Sequence, residues 1–404
     1  MTDRPPPSRP GAREAGCAAR DETEDQRSTL PVLIVGTCAF LGMYAPQPLL
    51  PLFARSFGVG EARAGLTISG LTLGIAIGAP IAGALSDRFG RTPFVLGGTI
   101  LTGLLTLLGA FAPSLDALVA ARFAQGLAVA GVLAVVMGYV GDEWPDRPAS
   151  AMSAYVTGSV LGGFLGRFFS GLAAATIGWR SGLFLIGLLE VGAGIWARRT
   201  LPPSRRFVPA PRVSFAAGLA ALRDARLLAA YAVGFLVLFV LVATFTYVGF
   251  HLDRPPYSLG PGALASVFAV YLLGLVVTPV GGRFVDRVGH RRGFAGSVAM
   301  SLVGLALTLS TSLPVLIAGL ALMSSGMFVA QAAATSFVGA NARSGRAAAS
   351  GLYLSFYYAG GAVGAVLPAA VFARGGWPAC VALVAGVEVV TAVIAAVGWR
   401  PASR

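Results

Sequence analysis

The stretch "GALSDRFGR", residues 83–91, sets three charges and two glycines among runs of Leu, Ala, Gly, Ile and Val. It returns as "GRFVDRVGHRR", residues 282–292. Pro80, Gly83, Asp87, Arg88 and Gly90 recur 199 positions later as Pro279, Gly282, Asp286, Arg287 and Gly289. A second set, Gly162, Gly163, Gly166, Gly178, Trp179 and Glu190, recurs 198 positions later as Gly360, Gly361, Gly364, Gly376, Trp377 and Glu388. Glycine matches alone mean little in a chain with 54 glycines. Matched Trp, Asp, Pro and Glu mark a duplicated unit.

The runs around the charged turn set the fold class. Of 404 residues, 56% are hydrophobic and 12% charged, and the mean hydropathy is +0.76. Soluble domains carry about a quarter charged residues, so the chain is an integral membrane protein. A hydrocarbon core of ~30 Å takes about 20 apolar residues per helix. The short alternating segments of an outer-membrane barrel are absent from the sequence. Cutting at Gly, Pro and Arg clusters leaves apolar stretches at about 29–53, 65–86, 91–112, 115–140, 149–177, 180–199, 227–250, 260–285, 293–311, 314–340, 347–373 and 377–399. The expectation is an all-α protein of twelve spans: a six-helix bundle over 29–199, a basic connector over 200–226 and a second six-helix bundle over 227–404. Residues 1–28 mix charges with prolines and carry no apolar signal-peptide core, so they read as a disordered tail, with the first span as insertion signal.

The net charge of +13 lies between spans rather than on one soluble face, which argues against nucleic acid as a partner. No lysine occurs, so there is no P-loop and no ATPase of its own. The even-numbered loops carry Arg88 and Arg91, Arg147, the Arg-rich connector, then Arg287, Arg291 and Arg292, then Arg343 and Arg346. The odd-numbered loops are poorer in arginine, which places both termini in the cytoplasm, with the bacterial inner membrane as the bilayer. Cys17, Cys38 and Cys380 are too scattered for a disulfide framework, and neither His251 nor His290 has metal-ligand spacing. No metal, cofactor or catalytic constellation is read from the sequence.

Two six-helix halves in one membrane orientation form a parallel-repeat transporter architecture. On this, on "GALSDRFGR" between spans two and three, and on "RFAQG", residues 122–126, the chain resembles the major facilitator superfamily. "QPLLPLF", "FHLDRPPYSLG" and "LYLSFYYAGGAVG" are similar to its bacterial YnfM-like branch of efflux permeases. The resemblance implies a secondary transporter moving a small organic solute by alternating access, as proton-coupled efflux. Import on the same fold, or a receptor without flux, is the alternative.

It also implies a gate. Gly83 and Gly282 would let helix ends approach closely, and Asp87 and Asp286 would dock on helix N-termini of the opposite half near Ala347 and Ala149. Arg88, Gly90 and Arg287 complete the turns, and Arg91 would reach Asp142 or Glu143. His290 replaces Arg91 in the second copy, and Ala340 and Asn341 stand where the acids do, so the first latch should be the stronger.

A charge inside the bilayer costs at least ~2.5 kcal/mol and marks a functional candidate. Arg122 and Arg167 lie about seven and ten residues from the odd-loop ends of spans four and five, at a similar depth to Tyr44 and Gln47 around Pro46. With Gln125 and Tyr357 they form the expected substrate site. Two arginines and no acid in span one point to an anionic or zwitterionic solute. Span five also lacks the proline of the drug-antiporter signature. Glu190 is expected to pair with Arg167. Glu388 lacks that cation, because Ala365 stands at the equivalent position, and a lone carboxylate in low dielectric is a candidate proton carrier. Gly162, Gly163 and Gly166, with Gly360, Gly361 and Gly364, are expected to pack helices closely, span five on span eight. Tyr247 is read as an interfacial tyrosine.

Overall fold

The computed structural model describes residues 28–204, 207, 221–342 and 346–399. Twelve helical spans run through them: span 1 Leu30–Phe57, span 2 Glu61–Phe89, span 3 Arg91–Ala110, span 4 Leu115–Glu143, span 5 Pro148–Thr176 and span 6 Trp179–Thr200. After the connector come span 7 Ala225–Asp253, span 8 Pro261–Val288, span 9 His290–Leu307, span 10 Leu313–Asn341, span 11 Arg346–Val366 and span 12 Ala369–Gly398. Nine are long and apolar enough to cross a membrane unaided. The other three are spans 5, 9 and 11; Arg167 stands in mid-helix in span 5, and Arg291 and Arg292 open span 9. Residues 1–27 of the expected tail and most of the connector, with Cys17 and Arg343, fall outside the described residues.

Local chemistry sets the boundaries. Ser114 caps span 4 by accepting from Ala117 N, and Asp224 caps span 7 by accepting from Arg226 N. The two charged turns are one-residue links: Gly90 and Gly289 sit at φ 94° and 85°, where a side chain is strained, and each reverses the chain between antiparallel helices. Span 11 ends earlier than the expected residue 373, because Leu367 and Pro368 make the turn. A short helix then runs to Gly376, whose φ of 62° breaks span 12.

Within each half, helices meet through carbonyl-on-glycine rungs. A Cβ at Gly158, Gly162 or Gly166 would run into the carbonyl oxygens of Leu33, Thr37 and Leu41. These residues repeat every four positions on both helices, so this glycine face of span 5 lies on span 1 rather than on span 8 as expected. The second half repeats this with Gly360 and Gly364 against Phe235 and Phe239, and Gly361 against the Leu238 side chain, seating span 11 on span 7. Span 8 meets span 5 at a different glycine, Gly171, which faces Ala265 and the Pro261 carbonyl.

The halves are clasped at the odd-loop face. Arg55 of span 1 bridges Asp253 of span 7 at 2.5 Å, and Arg254 bridges Glu61 of span 2 at 2.5 Å. Beside them Gly65 is pressed on the Ala365 carbonyl. The even-loop face has no such closure at its glycines: a Cβ at Gly83 or Gly282 would meet nothing within 4 Å. This corrects the expected close approach there. Asp286 and Ala149 are both exposed, and Asp286 forms no ion pair among the described residues. The contact expected near Ala347 involves a side chain outside the described set. Arg91 pairs with Asp142 at 2.9 Å and Asp87 at 3.8 Å, within its own half, while Glu143 is buried.

Candidate substrate and coupling site

Prolines in span 1 create the first part of the site. Its α-helix stops at Tyr44, and "APQPLLP", residues 45–51, continues as a 3₁₀ turn over Gln47–Leu49 before helix resumes at Leu50. Pro46 has no N–H for the carbonyl of Gly42, and Leu49 N turns to Pro46 O instead of Ala45 O. Carbonyls freed in mid-membrane need donors. Arg122 of span 4 supplies them, through Nη1 to Gly42 O at 2.7 Å and Nη2 to Met43 O, and its Nε reaches Thr67 O at 3.3 Å. Ser170 Oγ donates to Ala45 O at 2.6 Å.

A closed polar ring grows from this cap. Arg122 Nη1 also donates to Gln125 Oε1 at 2.5 Å, Gln125 Nε2 donates to Thr106 Oγ1 at 2.8 Å, and Thr106 Oγ1 donates to Glu190 Oε2 at 2.6 Å. Glu190 Oε1 then accepts from Gly42 N at 2.7 Å, returning to the residue whose carbonyl Arg122 holds. Spans 1, 3, 4 and 6 are thereby tied by buried groups, with Arg122 3% exposed and Glu190 fully buried. Glu190 is therefore the partner of the Arg122 network and not of Arg167, which corrects the expected pair. Geometry separates the two because Arg167 points the other way, toward the second half.

Arg167 sits where the halves meet and is 2% exposed. Its Nε donates to Gln47 Oε1 at 2.9 Å and its Nη1 to Gly163 O at 2.6 Å. The guanidinium carbon lies 4.4 Å from the Tyr44 ring, 4.4 Å from Tyr271 and 5.0 Å from Phe268. Nη2 has no hydrogen bond among the described residues, so Arg167 retains donors that Arg122 has committed to carbonyls. Tyr357 is buried and packs on Tyr353 and Tyr358 at 6.0 and 5.4 Å. The tyrosine read as interfacial, Tyr247, is instead fully buried and donates to Ala365 O at 3.0 Å.

Glu388, the repeat of Glu190, is 1% exposed. Ser301 Oγ donates to its Oε1 at 2.7 Å, and Oε2 has no hydrogen-bond partner among the described residues. Ser301 stands 199 positions after Thr102, while Leu305 and Ala321 replace Thr106 and Arg122. The second half therefore keeps the carboxylate and loses the rest of the ring. Tyr271, Phe268, Thr106 and Ser301 were missed from the sequence. The 199-residue offset from Thr102 signals Ser301. Tyr271 and Phe268 carry no signal, since the 3₁₀ turn Phe268–Leu273 that aims them has no proline.

A family model described as Major Facilitator Superfamily matches residues 32–279 and 255–404. The chain belongs to that superfamily. Over 342 residues it is 34% identical to the uncharacterized MFS-type transporter YybF of Bacillus subtilis (strain 168), covering 84% of this chain and 85% of the relative. It is 31% identical over 362 residues to the inner membrane transport protein YnfM of Escherichia coli (strain K12), covering 89% and 87%. Among solved structures, the nucleoside transporter NupG superposes with a TM-score of 0.76 at 14% identity, over 92% of this chain and 100% of that one, a likeness of fold. The chain is thus a multi-pass membrane protein and a secondary transporter of a small solute, in a family of transporters rather than enzymes.

Proposed function

We propose that this transporter exports an anionic or zwitterionic organic solute across the bacterial inner membrane in exchange for protons, with both termini cytoplasmic. The observation that carries the substrate class is Arg167: a cation at the contact of the halves, walled by Tyr44, Phe268 and Tyr271, oriented by Gln47 and retaining an uncommitted amino group. A carboxylate docking there takes a charge-assisted hydrogen bond, and the rings favour a planar or apolar body beside it. Arg122 and Gln125, expected to touch the solute, serve instead to hold span 1 in the shape that presents Tyr44 and Gln47.

Because Arg167 is hydrogen-bonded to Gln47 and Gly163 of the first half and lies against the Phe268 and Tyr271 rings of the second, its solute would be gripped between the halves, which suits alternating access. The clasp at the odd-loop face corresponds to an inward-facing state when the termini are cytoplasmic. Glu388 is the proposed proton carrier, with Glu190 held in its ring as the less mobile site. The outward direction rests on the sequence resemblance to the efflux branch.

The test is thermal unfolding of the purified protein against matched panels of organic anions and zwitterions, lipophilic cations, and neutral sugars. A ligand at 100 times its dissociation constant adds ~2.7 kcal/mol to the native state. Stabilisation by anions, lost in Arg167→Gln and weakened in Arg167→Lys, supports the reading. Stabilisation by lipophilic cations alone overturns it. Flux of the stabilising solute into inverted vesicles energised with an acid lumen, against uptake by intact cells, fixes the direction.

A further inference from the structure

The even-loop end of the second half contains a cavity of about 730 Å³ whose wall does not include Arg167. Its wall takes Arg226 from the start of span 7, His290, Arg291 and Arg292 from the first turn of span 9, Asn341 from the end of span 10 and Trp399 following span 12. No acid is among its lining residues. Asp224 accepts from Arg226 N at 2.9 Å as the cap of span 7, and Asp286 lies one turn before His290, exposed and outside the wall. None of the three arginines is ion-paired among the described residues. Trp399 is 3% exposed, and its indole Nε1 has no acceptor there.

The first half shows how this end looks when its charge is neutralised. Arg91 lies over Gly138, where a Cβ would collide with its guanidinium, and it pairs with Asp142 and Asp87. At the positions 199 later stand His290, Phe337 and Asn341. Phe337 fills the space over which the arginine would lie, stacks on Trp399 at 4.6 Å and meets His290 edge-on at 5.7 Å. Asn341 takes the place of the carboxylate and donates to Phe337 O at 2.8 Å. The second half thus replaces the acid at the Asp142 position, keeps the other as Asp286 outside the wall, and adds Arg291 and Arg292 where the first half has Thr92 and Pro93.

We propose that this cavity holds the phosphate of an anionic phospholipid headgroup. Guanidinium groups bind phosphate through paired donors, and the first-turn N–H groups of span 9 add a positive helix end. The lipid source follows from what lies beside the cavity. Ala396 lines it, and Val393 and Val397 of the same helix are 56% and 58% exposed, an apolar strip on which an acyl chain can lie. Basic pockets at the cytoplasmic end of membrane helices select anionic headgroups by this chemistry.

The experiment measures retention of dioleoyl phosphatidylglycerol by native mass spectrometry, and unfolding temperature in mixed micelles containing it or dioleoyl phosphatidylcholine, with inorganic phosphate as a separate arm. The full chain should retain phosphatidylglycerol and unfold at a higher temperature with it than with phosphatidylcholine. Arg291→Gln with Arg292→Gln should weaken that binding about thirtyfold. Asn341→Asp, which restores an acid at an isosteric site, should remove the increment, read against that variant's own phosphatidylcholine baseline, since the bond from Asn341 to Phe337 O is also lost. Equal stabilisation by both lipids, or variants that keep the increment, overturns the site. If inorganic phosphate alone reproduces the increment, the lipid assignment fails. These outcomes do not depend on which solute is transported.

Discussion

The two halves share a helical scaffold, down to the glycine rungs of span 5 on span 1 and span 11 on span 7, and differ in how they treat buried charge. In the first half Arg122, Gln125, Thr106 and Glu190 close a ring through Gly42. In the second, Glu388 has, among the described residues, Ser301 alone and an oxygen without a partner. The cause is a break in one helix. Span 1 contains Pro46, Pro48 and Pro51 and needs a cation to cover its freed carbonyls, whereas span 7 runs unbroken over Ala225–Asp253 and needs none. A duplicated scaffold can therefore hold a fixed charge network on one side and a simple carboxylate on the other. The first suits a platform, the second an ionisable site.

Substitutions test that difference, beginning with the largest effect. Arg122→Leu should destabilise the protein by about 3–5 kcal/mol, because it strands Glu190 and the Gly42 and Met43 carbonyls in a water-free interior. Unfolding in detergent, followed by tryptophan fluorescence, reads this, and a near-neutral result would refute the ring as the anchor of span 1. Gly162→Val and Gly360→Val should each cost about 1–3 kcal/mol by forcing helices apart. Similar losses would confirm that the halves are equivalent in packing while unequal in charge.

Glu190→Gln should cost about 1–3 kcal/mol, since an amide cannot accept from both Gly42 N and Thr106 without placing its own donors against them. Glu388→Gln loses at most one hydrogen bond, about 1 kcal/mol or less, yet should flatten the pH dependence of flux. Should the flux profile of Glu388→Gln match that of the parent, the coupling site lies elsewhere and the contrast between the carboxylates is structural only. The smallest effect belongs to the odd-loop clasp. Removing Arg55 and Arg254 should change stability by under ~1 kcal/mol per exposed pair, while paired spin labels across that face should report a larger separation.

Composition and the 199-residue repeat made the twelve spans and the two bundles legible before any coordinates, because lipid imposes long apolar helices and duplication leaves matched Trp, Asp and Glu. The site was legible in its members rather than its pairings. Arg122, Arg167, Tyr44, Gln47 and Glu190 could be named from the cost of burying polar groups. Their partners follow from helix rotation, which one residue of offset changes by about 100°. That is why Arg167 was matched with Glu190, and why the span 5 glycines were set on span 8. The prolines at 46, 48 and 51 held the missing clue, since each removes a donor and so calls for a substitute from a neighbouring helix.

The odd-loop clasp is built from exchanged partners: Arg55 of the first half to Asp253, and Arg254 of the second half to Glu61. Each half gives one cation and one anion, so separation leaves neither surface with a net charge from these four groups. Closing and opening therefore do little work against a long-range field. The contact is short-ranged and lies partly in water, where about 0.15 M salt screens charges beyond ~8 Å. The ionic strength of the medium bathing that face consequently has little hold on how it closes, since the pairs meet at 2.5 Å, well inside that length.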